Sequence, residues 1–121
     1  MKTENQEKGK KGEQLASEFL MSIGYTILET NWQVGHLEVD IIASNDEMLV
    51  FVEVKTRKSN VFGEPEDFVG LAKQRNLIRA AGIYIEKTGI TKEVRFDIVS
   101  VILNEGIGSV KHIVDAFKPR W

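Results

Sequence analysis

Residues Glu38–Lys55 read EVDIIASNDEMLVFVEVK. Two apolar runs rich in β-branched residues, Leu37–Ala43 and Met48–Thr56, flank a polar turn at Ser44, Asn45, Asp46 and Glu47, which predicts a β-hairpin. Four charged residues interrupt it: Glu38, Asp40, Glu53 and Lys55. Side chains alternate across a strand. In the second strand Val50, Val52 and Val54 share one face, and Leu49, Phe51, Glu53 and Lys55 share the other. Both faces are largely apolar, as in a central strand covered on both sides. In the first strand Glu38 and Asp40 fall with Ile42, opposite Leu37, Val39 and Ile41.

A turn centred between Asp46 and Glu47 sets residue i opposite residue 93 − i, so Asp40 faces Glu53 and Glu38 faces Lys55. Directly opposed side chains have Cβ atoms about 4.5–5.5 Å apart. Two carboxylates that close, at the edge of an apolar face, repel one another and are poorly solvated. They take up a proton or hold a cation. Mg²⁺ is commonly held by one or two carboxylates with water completing its shell. Lys55 points the same way as Glu53 and suits orienting a water or stabilising charge on a phosphate. Taken singly, each of these residues reads more simply as a solvated strand residue, and Glu38 with Lys55 as a cross-strand ion pair. It is their coincidence on one projected side that favours a site.

Working outward, Leu15, Ala16, Phe19, Leu20 and Ile23 have helical spacing over Gly12–Ile23, with Gly24 as the stop and the first ten residues loose. Tyr25–Val34 reads as a strand. After a loop at Ser59–Pro65, a helix is expected from Pro65 to about Lys87, favoured at its start by Glu66 and Asp67 and weakened at Gly70 and Gly82. Val94–Leu103 and Val110–Val114 complete the strands around a Gly-rich turn. The order is α-β-β-β-α-β-β, an α/β arrangement with helices on a mixed sheet.

With 121 residues the chain makes one domain, residues 1–121. It has no cysteine, which removes disulfides, thiolate metal sites and cysteine nucleophiles, and fits a reducing compartment. No apolar run approaches a membrane span, and MKTENQEKGKKGE carries no secretory h-region, so a cytoplasmic place with no membrane partner is expected. A net charge of −2 is unlike that of a protein that coats nucleic acid non-specifically. Basic clusters at Lys8, Lys10 and Lys11, at Lys55, Arg57 and Lys58, and at Lys73, Arg75 and Arg79 read individually as solvated surface. Lining one cleft, they would track a phosphate backbone.

Asp40, twelve residues, then Glu53-Val54-Lys55 resembles the PD-(D/E)XK nuclease signature. That superfamily includes restriction endonucleases and archaeal Holliday-junction resolvases, and its helix, three strands, helix, strand order matches the one read above. The segments GKKGEQLASEFL, GYTILETNWQ, EVDIIA, LVFVEVKTR, FGEPE, AKQRNLIRAAGIYI and VRFDIVSV are similar, in order, to the YraN-like family of endonuclease-like bacterial proteins. Leu37 stands where that family commonly has Gly, and Gln33 where it often has Arg.

The resemblance implies a restriction-endonuclease-like fold and hydrolysis of DNA phosphodiester bonds, with branched DNA as the substrate by analogy with the resolvases. Asp40, Glu53 and the Val54 carbonyl would hold Mg²⁺ or Mn²⁺, with Glu13 completing the set directly or through water. Lys55 would be the catalytic lysine, beside the catalytic carboxylates Asp40, Glu53 and Glu13. Glu38 and Gln74 would support the site, and Lys10, Lys11, Thr56, Arg57 and Lys73 would meet nucleic acid. A resolvase role implies a homodimer. Two other readings stand beside it: a non-catalytic nucleic-acid-binding module that keeps the fold, and a protein-interaction domain whose carboxylates sit at a sheet edge. His36 and His112 lack metal-ligand spacing and read as structural or exposed. Trp32 reads as core and Trp121 as a frayed end.

Overall fold

A computed structural model of the chain describes residues 4–58, 69–104 and 107–119. Seven elements follow in the expected order: α1 (Glu4–Ser22), β1 (Thr26–Val34), β2 (Leu37–Ser44), β3 (Met48–Arg57), α2 (Leu71–Thr88), β4 (Glu93–Asn104) and β5 (Ile107–Phe117). The strands form one sheet ordered β1-β2-β3-β4-β5. All neighbours are antiparallel except β3 and β4, which α2 joins as a parallel pair.

The two helices cover opposite faces. Ala16 and Leu20 of α1 pack on Ile41, Ala43, Val50, Val52, Val99 and Val101. Leu77, Ala80, Ala81 and Tyr84 of α2 pack on Val39, Ile42, Leu49, Phe51, Phe96 and Ile98. Strand β3 is therefore buried on both faces over Leu49–Val52, as its two apolar rows require. Trp32 joins the α2 side, its ring edge-on to Tyr84 at 5.2 Å, which agrees with its reading as a core residue. Trp121 lies outside the described residues.

Gly24 ends α1 as expected. It adopts φ 101°, and the bonds from Gly24 N–H to Met21 O and from Tyr25 N–H to Leu20 O make a Schellman stop. The other helix ends differ from expectation. Helix α1 begins at Glu4, so residues 4–10 are not loose; good helix formers in NQEKGKK continue it where no apolar periodicity exists. Helix α2 begins at Leu71 with Gly70 as an extended N-cap. The expected start at Pro65, with Glu66 and Asp67, lies outside the described residues. Strand β5 is longer than Val110–Val114 because its pairing with β4 continues past an irregularity to Phe96–Phe117.

Candidate functional site

The hairpin pairs as 93 − i from Ser44–Leu49 to Ile41–Val52, and there the ladder stops. Asp40 with Glu53 and Glu38 with Lys55 are therefore not ladder partners. On its other side β2 is interrupted at the same residue: pairing with β1 passes from Thr30–Ile41 to Trp32–Val39 and skips Asn31–Asp40. Asn31 takes φ 50° in mid-strand. The alternation of β2 slips here too. Val39 and Ile42 both face α2, whereas strict alternation puts Val39 with Ile41 and Asp40 with Ile42. This corrects the expected faces, and the cause is local: an irregular residue changes the phase of every side chain before it.

Released from both ladders, Asp40 bonds through its side chain. Its Oδ2 accepts the Val54 N–H at 2.8 Å, and the charge of Glu53 acts on it from close by. The two acids are thus neighbours without being ladder partners. Burial first, and the Glu53 charge second, push Asp40 up to about 7, against the opposing pull of the Val54 N–H and Lys73. Burial also raises Glu53, while Lys73, Asp40 and Lys55 pull it down.

A third charge sits at the pair. Lys73, near the start of α2, places Nζ 3.7 Å from Glu53 Oε2. The other oxygen, Glu53 Oε1, is buried with no hydrogen-bond partner among the described residues. An orphaned carboxylate oxygen facing a second carboxyl group is a donor set suited to a hard cation. In a strand the N–H and C=O of one residue point the same way, so the Val54 carbonyl is turned toward the β2 side along with its N–H. Among the described residues no group of three or more His, Asp or Glu side chains is arranged to hold a metal. The pair would therefore need the carbonyl, water or substrate oxygens to complete a shell.

Glu13 approaches from α1. Burial raises the pKa of its carboxyl group, as do the charges of Asp40 and Glu38, against the opposing pull of the Asn31 side chain. The place of Glu13 depends on Gly12. A Cβ there would stand 1.9 Å from Thr56 Oγ1 and 2.9 Å from Thr56 Cβ, so α1 lies directly on β3. Glu13 and Asn31 line an open cavity of about 160 Å³ with Lys10, Gln14, Ser17 and Thr30.

The remaining expected residues divide. Lys55 continues the Glu53 side of β3, half-buried, and its charge reaches Glu53. Arg57 lies two residues farther on, also half-buried, and Lys11 is exposed. Thr56 faces α1 and packs under Gly12, so the close approach of the helix, not a phosphate, accounts for its position. Glu38 accepts a hydrogen bond from Gln33 at 3.1 Å across the β1–β2 pair. Gln74 donates to the Val69 carbonyl at 2.7 Å and so ties down the start of α2.

The sequence reading passed over Asn31, Ser100 and Asp97. Ser100 is buried in β4, beside Lys55 in the parallel ladder, and its Oγ has no partner among the described residues. Asp97 is buried under α1. It accepts Arg95 Nε and Nη2, both at 2.8 Å, bonds His112 Nε2 at 2.7 Å, and accepts the Asp115 N–H at 3.0 Å. Those bonds hold its pKa below the usual carboxylate range against burial. Arg95 also bonds the Tyr25 hydroxyl, and the His112 ring meets Phe19 edge-on, so His112 is structural as read. Only VRFDIVSV hinted at this hub: an acid inside an apolar strand needs a partner when buried.

Residues 12–101 match the model of the uncharacterised protein family UPF0102. The chain belongs to that family. It is 46% identical over 114 residues to the UPF0102 protein FP2501 of Flavobacterium psychrophilum, covering 94% of this chain and 96% of the relative. It is 44% identical over 116 residues to a UPF0102 protein of Bacteroides thetaiotaomicron, covering 96% of each. A UPF0102 protein of Christiangramia forsetii is 45% identical over 114 residues, with 94% of this chain and 96% of the relative covered. The UPF0102 match spans Glu13, Asn31, Asp40, Glu53, Lys55, Lys73 and Asp97. None of the helices in the described residues is long and apolar enough to cross a membrane.

Proposed function

We propose that this chain is a metal-dependent nuclease that hydrolyses DNA phosphodiester bonds, on branched DNA in recombination or repair, in the cytoplasm. One observation carries the reading: Asp40 and Glu53 are neighbours in a half-buried setting that leaves the buried Glu53 Oε1 without a partner among the described residues. Burying two acids side by side costs stability, and a protein retains such an arrangement where function uses it. Asp40, Glu53 and the Val54 carbonyl would hold Mg²⁺ or Mn²⁺, which when bound would polarise a phosphate and lower the pKa of water. Lys55 stabilises charge developing on the scissile phosphate. Glu13 orients water at the α1 side. Lys10, Lys11 and Arg57 would meet flanking phosphates, and a four-way junction, cut symmetrically, calls for a homodimer.

The resemblance to PD-(D/E)XK nucleases supports this assignment, and the α-β-β-β-α-β-β order fits it. The test is cleavage of branched, single-stranded and duplex DNA with Mg²⁺ and Mn²⁺, with Asp40→Ala and Lys55→Ala in parallel. Cutting that depends on metal and is lost in both variants supports the reading; cutting that survives both sinks it.

A second reading, a nucleic-acid-binding module without catalysis, is favoured by Lys73. Its ammonium already neutralises part of the charge at Glu53. That reading expects salt-dependent DNA binding with no heat of Mn²⁺ binding in calorimetry and no cutting.

A further inference from the structure

Ser100 stands out in an apolar strand. On β4, Phe96 and Ile98 belong to the core under α2, and Val99 and Val101 to the core under α1, so alternation puts Ser100 on the α2 face. It is 2% exposed there, and its Oγ has no hydrogen-bond partner among the described residues. An unmet buried hydroxyl costs stability that an alanine in the same place would not. Both of its ladder neighbours are lysines, Lys55 on β3 and Lys111 on β5. The preceding row on this face is Glu53, Ile98 and Ile113. Lys55, Ser100 and Lys111 thus form a polar row across three strands, one step beyond Glu53. Rows on one face lie about 7 Å apart, and two strand spacings set Lys55 and Lys111 about 10 Å from each other. Lys111 is exposed, on an edge strand of the sheet.

We infer that Ser100 and Lys111 bind the phosphate next to the scissile one, so that the DNA strand leaves Glu53 and Lys55 across β4 toward the β5 edge. The inference deepens the nucleic-acid reading above and rests on it. A phosphodiester oxygen is an acceptor, and the Ser100 hydroxyl can donate to it from the floor of the row. The Lys111 ammonium, on its flexible four-carbon stem, meets the same phosphate as a charge. The hydroxyl is covered in the free protein, and a strand laid across the row would draw the lysine head groups to its phosphates and uncover it. None of these contacts needs a metal. They act equally in a protein that binds DNA without cutting it.

Fluorescence anisotropy of labelled four-way junction and duplex DNA in EDTA reads this binding without cleavage. Lys111→Ala should weaken affinity several-fold and lower the salt slope by about one. Ser100→Ala should also weaken affinity several-fold, with the slope unchanged because no charge is lost. It should melt at or slightly above the parent temperature, because the hydroxyl it removes has no partner among the described residues. Lys87→Ala removes an exposed charge in the last turn of α2, at the opposite end from Lys73, and should leave affinity nearly unchanged. Parent-like affinity in Lys111→Ala or in Ser100→Ala overturns the inference. So does an equal loss in Lys87→Ala, which would make the effect one of net charge. A Ser100→Ala variant that melts several degrees lower overturns it too, because the hydroxyl would then serve the fold. Wild-type protein that binds neither DNA overturns the nucleic-acid reading itself and this inference with it, and that result is visible before any variant is made.

Discussion

Asp40→Asn should make the metal-free protein more stable above neutral pH. Asparagine keeps an oxygen to accept the Val54 N–H, so that bond survives, and its NH₂ is a donor beside the Glu53 carboxylate. What disappears is the cost of ionising a buried acid beside another acid. Asp40 moves from 3.8 in the unfolded chain to about 7 in the folded one. A folded pKa above the unfolded value means that the folded protein binds the proton more tightly. Its contribution is fully present below 3.8 and is lost as pH rises through about 7. Between pH 5 and pH 8 the wild type should lose roughly 2–3 kcal/mol relative to the variant. For a domain of this size that is on the order of 10 °C in Tm. The assay is a series of thermal melts from pH 5 to 8.5 in EDTA. The variant should show a flatter profile, with a smaller dependence remaining from Glu53. Adding Mn²⁺ at pH 8 should then raise Tm in the wild type by mass action and leave the variant unmoved. A variant less stable than wild type at pH 8 by the same margin as at pH 5 refutes the reasoning, because burial of charge would then not be what strains this site.

Three further outcomes are expected. Lys73→Ala removes the ammonium at Glu53, so Mn²⁺ should bind several-fold more tightly at pH 8 while DNA binding weakens and its salt slope falls by about one; calorimetry and a salt titration of DNA affinity check the two effects. Asp97→Ala leaves Arg95 and His112 facing each other without their shared carboxylate and should cost about 3–5 kcal/mol in urea unfolding. Because the folded pKa of Asp97 is depressed, the hub's contribution holds above 3.8 and fades as pH falls through the lower folded value, so the Asp97→Ala deficit should shrink in acid. Gly12→Ala should cost about 1–3 kcal/mol through the clash with Thr56, and Thr56→Ala in the same chain should recover part of it, as a double-mutant cycle in denaturant would reveal.

Much of the architecture is local physics. Alternating apolar rows in Leu49–Val52 specify a strand buried on both faces, and the turn at Asn45 sets its register. Asn45 Oδ1 accepts the N–H groups of Glu47 and Met48, at 3.0 and 2.8 Å, and so ties the corner. Gly24 stops α1 because its φ of 101° suits glycine. Where signals of this kind were missing, the reading stopped short: α1 runs back to Glu4 through polar residues that show no periodicity.

The candidate site was legible as a set of residues and not as a geometry. Composition and spacing alone pick out Asp40, Glu53 and Lys55, since acids in an apolar hairpin cannot be ignored. Their faces were not readable, because Asp40 sits at a break in two ladders and a one-residue slip moves side chains to the other face. Nor could the sequence assign the partners that depend on distance through space. Lys73 reaches Glu53 from α2, Gly12 admits α1 onto Thr56, and Glu13 and Asn31 line one cavity at the α1–β1 seam. Asp97 shows the same limit: four bonds from Arg95, His112 and Asp115 converge on it only once β4 and β5 are paired. Patterns along the chain determine which residues form strands and helices, because those are set by neighbours a few positions away. Which charges end up sharing one buried volume is decided by the packing of both helices on the sheet.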